Sequence, residues 1–225
     1  MDASLDPEIY LRMAAERGWT IRHVLDTHIH ADHLSRSRGL AERAGASLWL
    51  PEQQRVHFAH QVVRDGTALS FGSTTLRAIH TPGHTLESTS YLVDQRWLLT
   101  GDTLFLASVG RPDLEANVDE ARARAIFLYH SLRKLFELDP RLLVLPCHTS
   151  TPVPFDQAVV GDTLGAVRGA IHLPEDAAEF AESVLRRIPP APPNHRTIVE
   201  RNEAGEPPPE DPTDLEAGAN RCAVS

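Results

Sequence analysis

The run Thr27-His28-Ile29-His30-Ala31-Asp32-His33 constrains this chain more than any other stretch. Four side chains of the metal-ligand type crowd into positions 28 to 33. The run follows directly on a β-rich segment, Thr20 to Leu25. In extended backbone, residues i and i+2 point the same way, so His28 and His30 can grip one ion together. Asp32 and His33 lie just beyond, where the chain turns toward a helix, and can face a second position. Three more residues of the same type come later: His84, Asp102 and His148. Each sits at or just past the end of an expected strand, namely Thr74 to His80, Trp97 to Thr100 and Arg141 to Leu145. Strand ends in one α/β layered domain can converge on one sheet edge, where sites form. Imidazole and carboxylate donors suit zinc or iron rather than calcium, and Asp102 has two oxygens with which to bridge two ions. A histidine-rich surface loop would explain neither the crowding nor the strand-end placement.

The remaining pattern is that of a mixed α/β chain. Asp6-Pro7-Glu8 starts a helix with Leu11, Met13 and Ala14 on its apolar side, and Gly18 ends it. A second helix spans Ser37 to Ala44, and Ser47 to Leu50 is a strand closed by Pro51. Residues 52 to 66 read as mostly loop. Ala68 to Phe71 and Thr74 to His80 form a hairpin across Gly72-Ser73, and Thr89 to Val93 pairs with Trp97 to Thr100 across Asp94-Gln95. Helices are expected over Val118 to Leu138, Asp162 to Ala170 and Glu175 to Arg187. After Ile188 the composition shifts to Pro189-Pro190-Ala191-Pro192-Pro193 and Pro207-Pro208-Pro209. We therefore divide the chain into a catalytic domain over 1–188 and a Pro-rich, extended C-terminal tail over 189–225. Leu215 and the Ala217 to Cys222 end suggest a docking segment within that tail.

Composition narrows the function. The net charge is −9, so the chain gains nothing from the phosphate attraction that drives nucleic-acid binding. No apolar run approaches bilayer length, and the acidic N-terminus lacks a secretory pattern, so a cytoplasmic protein without membrane or nucleic-acid partners is expected. Lys134 is the only lysine, which leaves Schiff-base chemistry one candidate far from any motif. Cys147 and Cys222 are too few for a disulfide framework and make no C-x-x-C knuckle. Cys147 reads as a small hydrophobe closing a buried strand. His80 reads as support for the Thr81-Pro82-Gly83 turn. Arg111 has two even readings: a fork for a substrate carboxylate, or a salt bridge that fixes its own loop.

These residues resemble the signature of the metallo-β-lactamase superfamily, H-x-H-x-D-H with three later ligands, over Asp6 to Arg187. The resemblance implies an αββα sandwich with the metal site at one edge. It implies that His28, His30 and His84 form one site, Asp32, His33 and His148 a second, with Asp102 between them and Asp32 as the catalytic carboxylate. Within the superfamily the chain is most similar to the glyoxalase-II-like branch, and inside it to the persulfide dioxygenases. The similarity rests on Ala31 before Asp32, on His80-Thr81-Pro82-Gly83-His84-Thr85, on Gly101-Asp102-Thr103-Leu104-Phe105 and on Val109-Gly110-Arg111-Pro112-Asp113. In those enzymes the residues matching His28, His84 and Asp102 hold a single Fe(II). His30, Asp32, His33 and His148 then orient the ligands. The substrate implied is a small thiol derivative based on glutathione, with Arg111 as a candidate contact, and the assembly implied is a homodimer.

The alternative is a thioester hydrolase resembling glyoxalase II, with zinc or a mixed dinuclear metal pair and a metal-activated hydroxide. A genuine β-lactamase fits less well, because those with a thiolate ligand carry cysteine where Asp102 stands. Two departures from the family pattern stand out. The strand hairpin that normally precedes the first helix has no counterpart, so two outer strands are missing or a start lies upstream; a degenerate, non-enzymatic metal or sulfur sensor would follow from a true loss. Thr149-Ser150-Thr151-Pro152 also replaces the glycine-rich run common in persulfide dioxygenases.

Overall fold

Local chemistry sets where each element begins and ends in the computed structural model, which describes residues 1–149, 159–216 and 222–224. In chain order the elements are α1 (Pro7–Glu16), β1 (His23–Leu25), α2 (Ser37–Ala44), β2 (Ser47–Pro51), β3 (Gln61–Val63), β4 (Ala68–Phe71) and β5 (Thr74–His80). There follow β6 (Thr89–Val93), β7 (Trp97–Gly101), β8 (Val109–Gly110), α3 (Val118–Phe136), β9 (Leu143–Pro146) and β10 (Asp162–Thr163). The last are α4 (Leu164–Ala170), α5 (Ala177–Arg186), α6 (His195–Ala204), α7 (Thr213–Glu216) and β11 (Ala223–Val224). Asp6 caps α1 by accepting from the Glu8 amide at 2.8 Å, with Pro7 at the first helical position. Asn117 and Glu120 form a reciprocal capping box at the start of α3. The Asp94-Gln95 turn has positive φ at both residues, 50° and 52°, which matches the twist of the β6–β7 hairpin.

Two units are distinguishable. The first comprises Met1–Val63 with Pro192–Asn220. Its sheet has the order β1-β2-β3, all parallel, with β1 at an edge, and Asp2 donates its amide to the Leu25 carbonyl at 2.9 Å. Ala3, Val24, Leu40, Ala41, Leu48 and Leu50 make its core. This sheet and helix layer ends β1 at Leu25, immediately before the histidine run.

The second unit comprises Arg64–Ala191 with Arg221–Ser225. Its six-stranded sheet runs β10-β9-β7-β6-β5-β4, and a separate ribbon pairs β11 with β8. The central strands β7 and β9 are parallel, and their register shifts between Leu99 and Gly101, just before Asp102. Helix α3 lays Leu128, Leu132 and Leu135 into the core with Leu98 and Val144, all fully buried. Burial on this scale contributes about 1.5–3 kcal/mol for each large aliphatic side chain.

Most elements match the expectations, and the differences have local causes. β1 begins at His23 rather than Thr20, and β3 lies inside the stretch expected to be loop. Asp162–Thr163 pairs with β9 instead of opening the helix, because Thr163 serves as its N-cap and accepts from the Ala166 amide. Asp176 caps α5, which therefore starts after Glu175. The 189–225 segment is not an extended tail throughout: α6 buries Ile198 and Val199, and β11 joins a sheet. Polar residues dominate α6, so no apolar stripe announced it. Residues Ser150–Pro152 of the atypical run and Ala217–Arg221 of the suggested docking segment lie outside the described residues.

Asp65 offers a test of the sheet edge. It accepts from the His80 amide at 2.7 Å and from Lys134 Nζ at 3.1 Å. Partial burial pushes its carboxyl up, but these two donors and the Lys134 charge hold it below 3.8. A depressed carboxylate stabilises above its unfolded pKa and loses that contribution as pH falls through the folded value. Asp65→Asn should cost less than about 1 kcal/mol at neutral pH, since the pair is largely exposed. Thermal melts of both proteins should converge as pH falls through the folded value.

Candidate metal centre

Each unit presents its own half of the expected constellation. In the first unit, the loop after β1 carries His28, His30, Asp32 and His33. Thr27 Oγ1 sits 2.9 Å from His28 Nδ1, so Nε2 is the nitrogen presented away from Thr27. The His28 and His30 rings lie 4.2 Å apart, and so do those of His30 and His33. One ligand atom from each of His30, Asp32 and His33 falls within 4.8 Å of the other two. His33 Nδ1 is 3.2 Å from Asp32 Oδ2, and His30 Nδ1 is 3.6 Å from Asp32 Oδ1.

A residue far from the motif shapes this half. Asp2 Oδ1 accepts from the Thr27 amide at 2.7 Å and lies 3.0 Å from His30 Nε2. Burial pushes the Asp2 carboxyl up, yet the hydrogen bond and charge of His30 outweigh it and bring it to about 2. Burial pushes His30 down, but Asp2 and Asp32 on either side hold it well above its ordinary 6.5. Asp32 is likewise raised by burial and then held well below the carboxylate range by His30 and His33. Asp26 behaves oppositely: burial and the Asp2 charge win over His30 and the Ser35 and Ser37 hydroxyls, and its pKa rises.

The loop backbone is clamped by α6. Asn202 Nδ2 donates to the carbonyls of His30 and His33, both at 2.9 Å, while its Oδ1 accepts from the Ser35 amide at 2.8 Å. The Leu34 amide donates to Glu216 at 2.8 Å. Asn202→Ala should therefore cost about 1–3 kcal/mol through lost loop bonds. It should also weaken metal binding by about 10-fold or more, through misplacement of groups that orient ligands. Melting curves and competition with a chelator would measure both. A cavity of about 1000 Å³ opens beside this loop within the same unit, lined by Asp26, His28, His30, Arg36, Phe58 and Asn202 among others.

In the second unit, His84, Asp102 and His148 come together. His84 Nε2 is 3.7 Å from Asp102 Oδ2, and His148 Nε2 is 3.4 Å from Asp102 Oδ1. His84 Nδ1 donates to the Arg111 carbonyl at 2.7 Å, which fixes the tautomer and leaves the Nε2 lone pair facing the carboxylate. Two glycines permit this closeness. A Cβ on Gly83, at φ 149°, would stand 2.4 Å from Leu128 Cβ and 2.5 Å from its Cα. A Cβ on Gly110 would stand 1.8 Å from the Asp102 carbonyl oxygen.

Asp102 provides the test of whether a cation fits. Its side chain is 0% exposed, and among the described residues neither carboxylate oxygen has a hydrogen-bond partner. A buried anion without donors costs several kcal/mol unless a cation faces it. The groups around it are imidazole nitrogens, so the donor set suits zinc or iron.

Arg111 takes the loop-fixing arrangement. Its side chain is 1% exposed and makes a two-pronged pair with Asp113, with Nε to Oδ1 and Nη2 to Oδ2 both at 2.8 Å. Nη1 reaches the Pro190 carbonyl at 3.2 Å. The guanidinium is buried against its own loop. His80 supports its turn as expected, with Nε2 2.8 Å from the Leu86 carbonyl. The residues that sequence reasoning missed are Asp2, Asn202 and Glu216, which carry no motif of their own and act from distant positions.

An α/β chain with histidine–aspartate clusters at its strand ends falls in the class of metalloenzymes. Residues 2–148 match the metallo-beta-lactamase superfamily, and the chain belongs to that superfamily. A probable metallo-hydrolase of Burkholderia pseudomallei is 30% identical over 205 residues, covering 79% of this chain and 68% of its own length. A hydroxyacylglutathione hydrolase of Brucella ovis is 35% identical over 144 residues, covering 61% of this chain and 53% of its own length. The chain thus spans about half the length of that relative. The crystal structure of ETHE1 from Myxococcus xanthus superposes with a TM-score of 0.72 at 31% identity, over 91% of this chain and 86% of that one. These similarities support the glyoxalase-II-like and persulfide-dioxygenase branch, and the α/β fold matches metallo-beta-lactamase structures.

Proposed function

We propose that the chain is an Fe(II) persulfide dioxygenase that converts glutathione persulfide, O₂ and water to glutathione and sulfite. The observation that carries this reading is the role of the Gly110-Arg111-Pro112-Asp113 loop. That loop supports the resemblance to persulfide dioxygenases, and it also sets the His84 tautomer and lies against Asp102. His28, His84 and Asp102 would hold the iron as two histidines and one carboxylate. Iron in such a set supplies electrons and open positions for O₂ and substrate, whereas a dinuclear pair in the hydrolase reading would supply hydroxide at neutral pH.

The other residues then act on these three. Asp2 and Asp32 flank His30, and Asp32 lies between His30 and His33, so Asp32 is the carboxylate suited to orient these histidines. Asn202 fixes the loop that carries all four groups. The cavity beside that loop is roomy enough for a tripeptide thiol. The thioester-hydrolase reading is favoured by the Brucella ovis relative's name.

Oxygen uptake by the Fe(II)-reconstituted protein with glutathione persulfide tests the proposal, with S-lactoylglutathione hydrolysis run alongside. Uptake matched by sulfite is the expected result. Thioester cleavage without uptake would replace it with the hydrolase reading.

A further inference from the structure

α7 is four residues long and none of them is fully buried, so apolar packing does little to hold it in place. Among the described residues its polar ties beyond its own turn are of two kinds. Asn194, at the start of α6, donates Nδ2 to the carbonyls of Asp214 and Leu215 at 2.9 and 3.1 Å, which binds α7 to α6. Glu216 supplies the other tie. Its Oε1 accepts from the Leu34 amide at 2.8 Å, and it takes a two-pronged pair from the buried Arg36 guanidinium, with Nη2 to Oε2 at 3.0 Å and Nη1 to Oε1. Arg36 Nη1 also donates to the Leu34 carbonyl. Leu34 directly follows His33, so α7 hangs on the backbone that leaves the histidine run. Asn202 grips the same run from the end of α6, at the His30 and His33 carbonyls. The spacer between these two anchors contains Pro207-Pro208-Pro209, whose fixed φ keeps it semi-rigid.

We propose that Glu216 is a positioning residue for the histidine run and that α7 is a latch, docked on a run fixed by metal and released from a run left loose without it. A metal that draws His30, Asp32 and His33 together sets the place of the Leu34 amide and the Arg36 guanidinium that follow them. Glu216, once docked, fixes the same backbone from the other side. The two events share one coupling free energy, so the factor by which docking tightens metal is the factor by which metal favours docking. Residue 216 lies beyond the 2–148 match to the superfamily, so the latch belongs to this chain's own C-terminal segment. The inference rests on the metal reading of the histidine run and adds a regulator of that site from outside the motif.

Hydrogen exchange of the full-length protein with and without saturating Zn(II), read residue by residue, tests the latch. Zn(II) affinity of the wild type and Glu216→Ala, measured against a competing chelator, tests the reciprocal effect. In the wild type, zinc should slow exchange of the Leu215 and Glu216 amides, both bonded to the Pro212 carbonyl, by about 10-fold, and by more than it slows the amides of α5. Glu216→Ala should bind zinc more weakly by a comparable factor. Glu216→Gln, which keeps an acceptor for the Leu34 amide but loses the charge that faces Arg36, should fall between. A merely structural Glu216 would lower stability and leave α7 exchange blind to zinc. Zinc binding that leaves the α7 amides unchanged, or slows them no more than those of α5, would overturn the latch and leave the metal reading standing. So would a folded Glu216→Ala that binds zinc as tightly as the wild type; if that variant does not fold, the wild-type exchange comparison decides alone. Absence of zinc binding in the wild type would overturn both.

Discussion

Asp102→Asn should lower metal affinity by more than about 100-fold, beyond the range seen when only a supporting residue is lost. At the same time it should raise the melting temperature of the metal-free protein. The two effects share one cause. Among the described residues no donor hydrogen-bonds this buried carboxylate, and such a group is costly until a cation faces it. Replacing it with a neutral amide of the same shape should recover about 1–3 kcal/mol in the metal-free state. In a chain of this size, 1 kcal/mol moves Tm by about 2–4 °C. Differential scanning calorimetry with and without metal separates the terms: wild type gains stability from metal, and Asp102→Asn starts higher and gains none. A residue with a purely structural role would show destabilisation in both conditions.

Gly110→Ala should be nearly as damaging by a different route. The added methyl would meet the Asp102 carbonyl oxygen at 1.8 Å and His84 Cβ at 3.1 Å. The first contact is backbone, so relief requires either β8 or the Asp102 turn to move. Forced overpacking of this kind costs about 3 kcal/mol, and the displaced ligands should weaken metal binding by about 10- to 100-fold. Gly169→Ala in α4 is the control. Among the described residues nothing lies within 4 Å of its added Cβ, and alanine is the better helix former, so that variant should gain up to about 1 kcal/mol. Urea denaturation and metal titration of the two variants would show the contrast.

The legibility of the chain in its sequence followed the range of the interactions involved. The β4–β5 and β6–β7 hairpins were readable because short turns at Gly72-Ser73 and Asp94-Gln95 separate β-rich runs, all of it local information. The placement of His84, Asp102 and His148 beyond β5, β7 and β9 was readable for the same reason. α6 was not, because only Ile198 and Val199 are buried on it and its polar residues make no periodic stripe. Asn202 therefore went unseen, although it bonds two carbonyls of the histidine run. Asp2 went unseen because its partner His30 lies 28 residues away and a lone aspartate has no spacing to read. Arg111 was open between two roles until the position of Asp113 favoured one, since the sequence places the pair two residues apart but does not show which way the guanidinium turns.

We propose that one iron ion is held by His28, His84 and Asp102. Iron content per chain after anaerobic Fe(II) reconstitution, measured by elemental analysis for the wild type, His28→Ala and His84→Ala, tests that claim most directly. A two-histidine, one-carboxylate site predicts about one iron per wild-type chain and almost none in either variant. Full iron retention in His28→Ala would contradict it, because the ion would then be held without the histidine run.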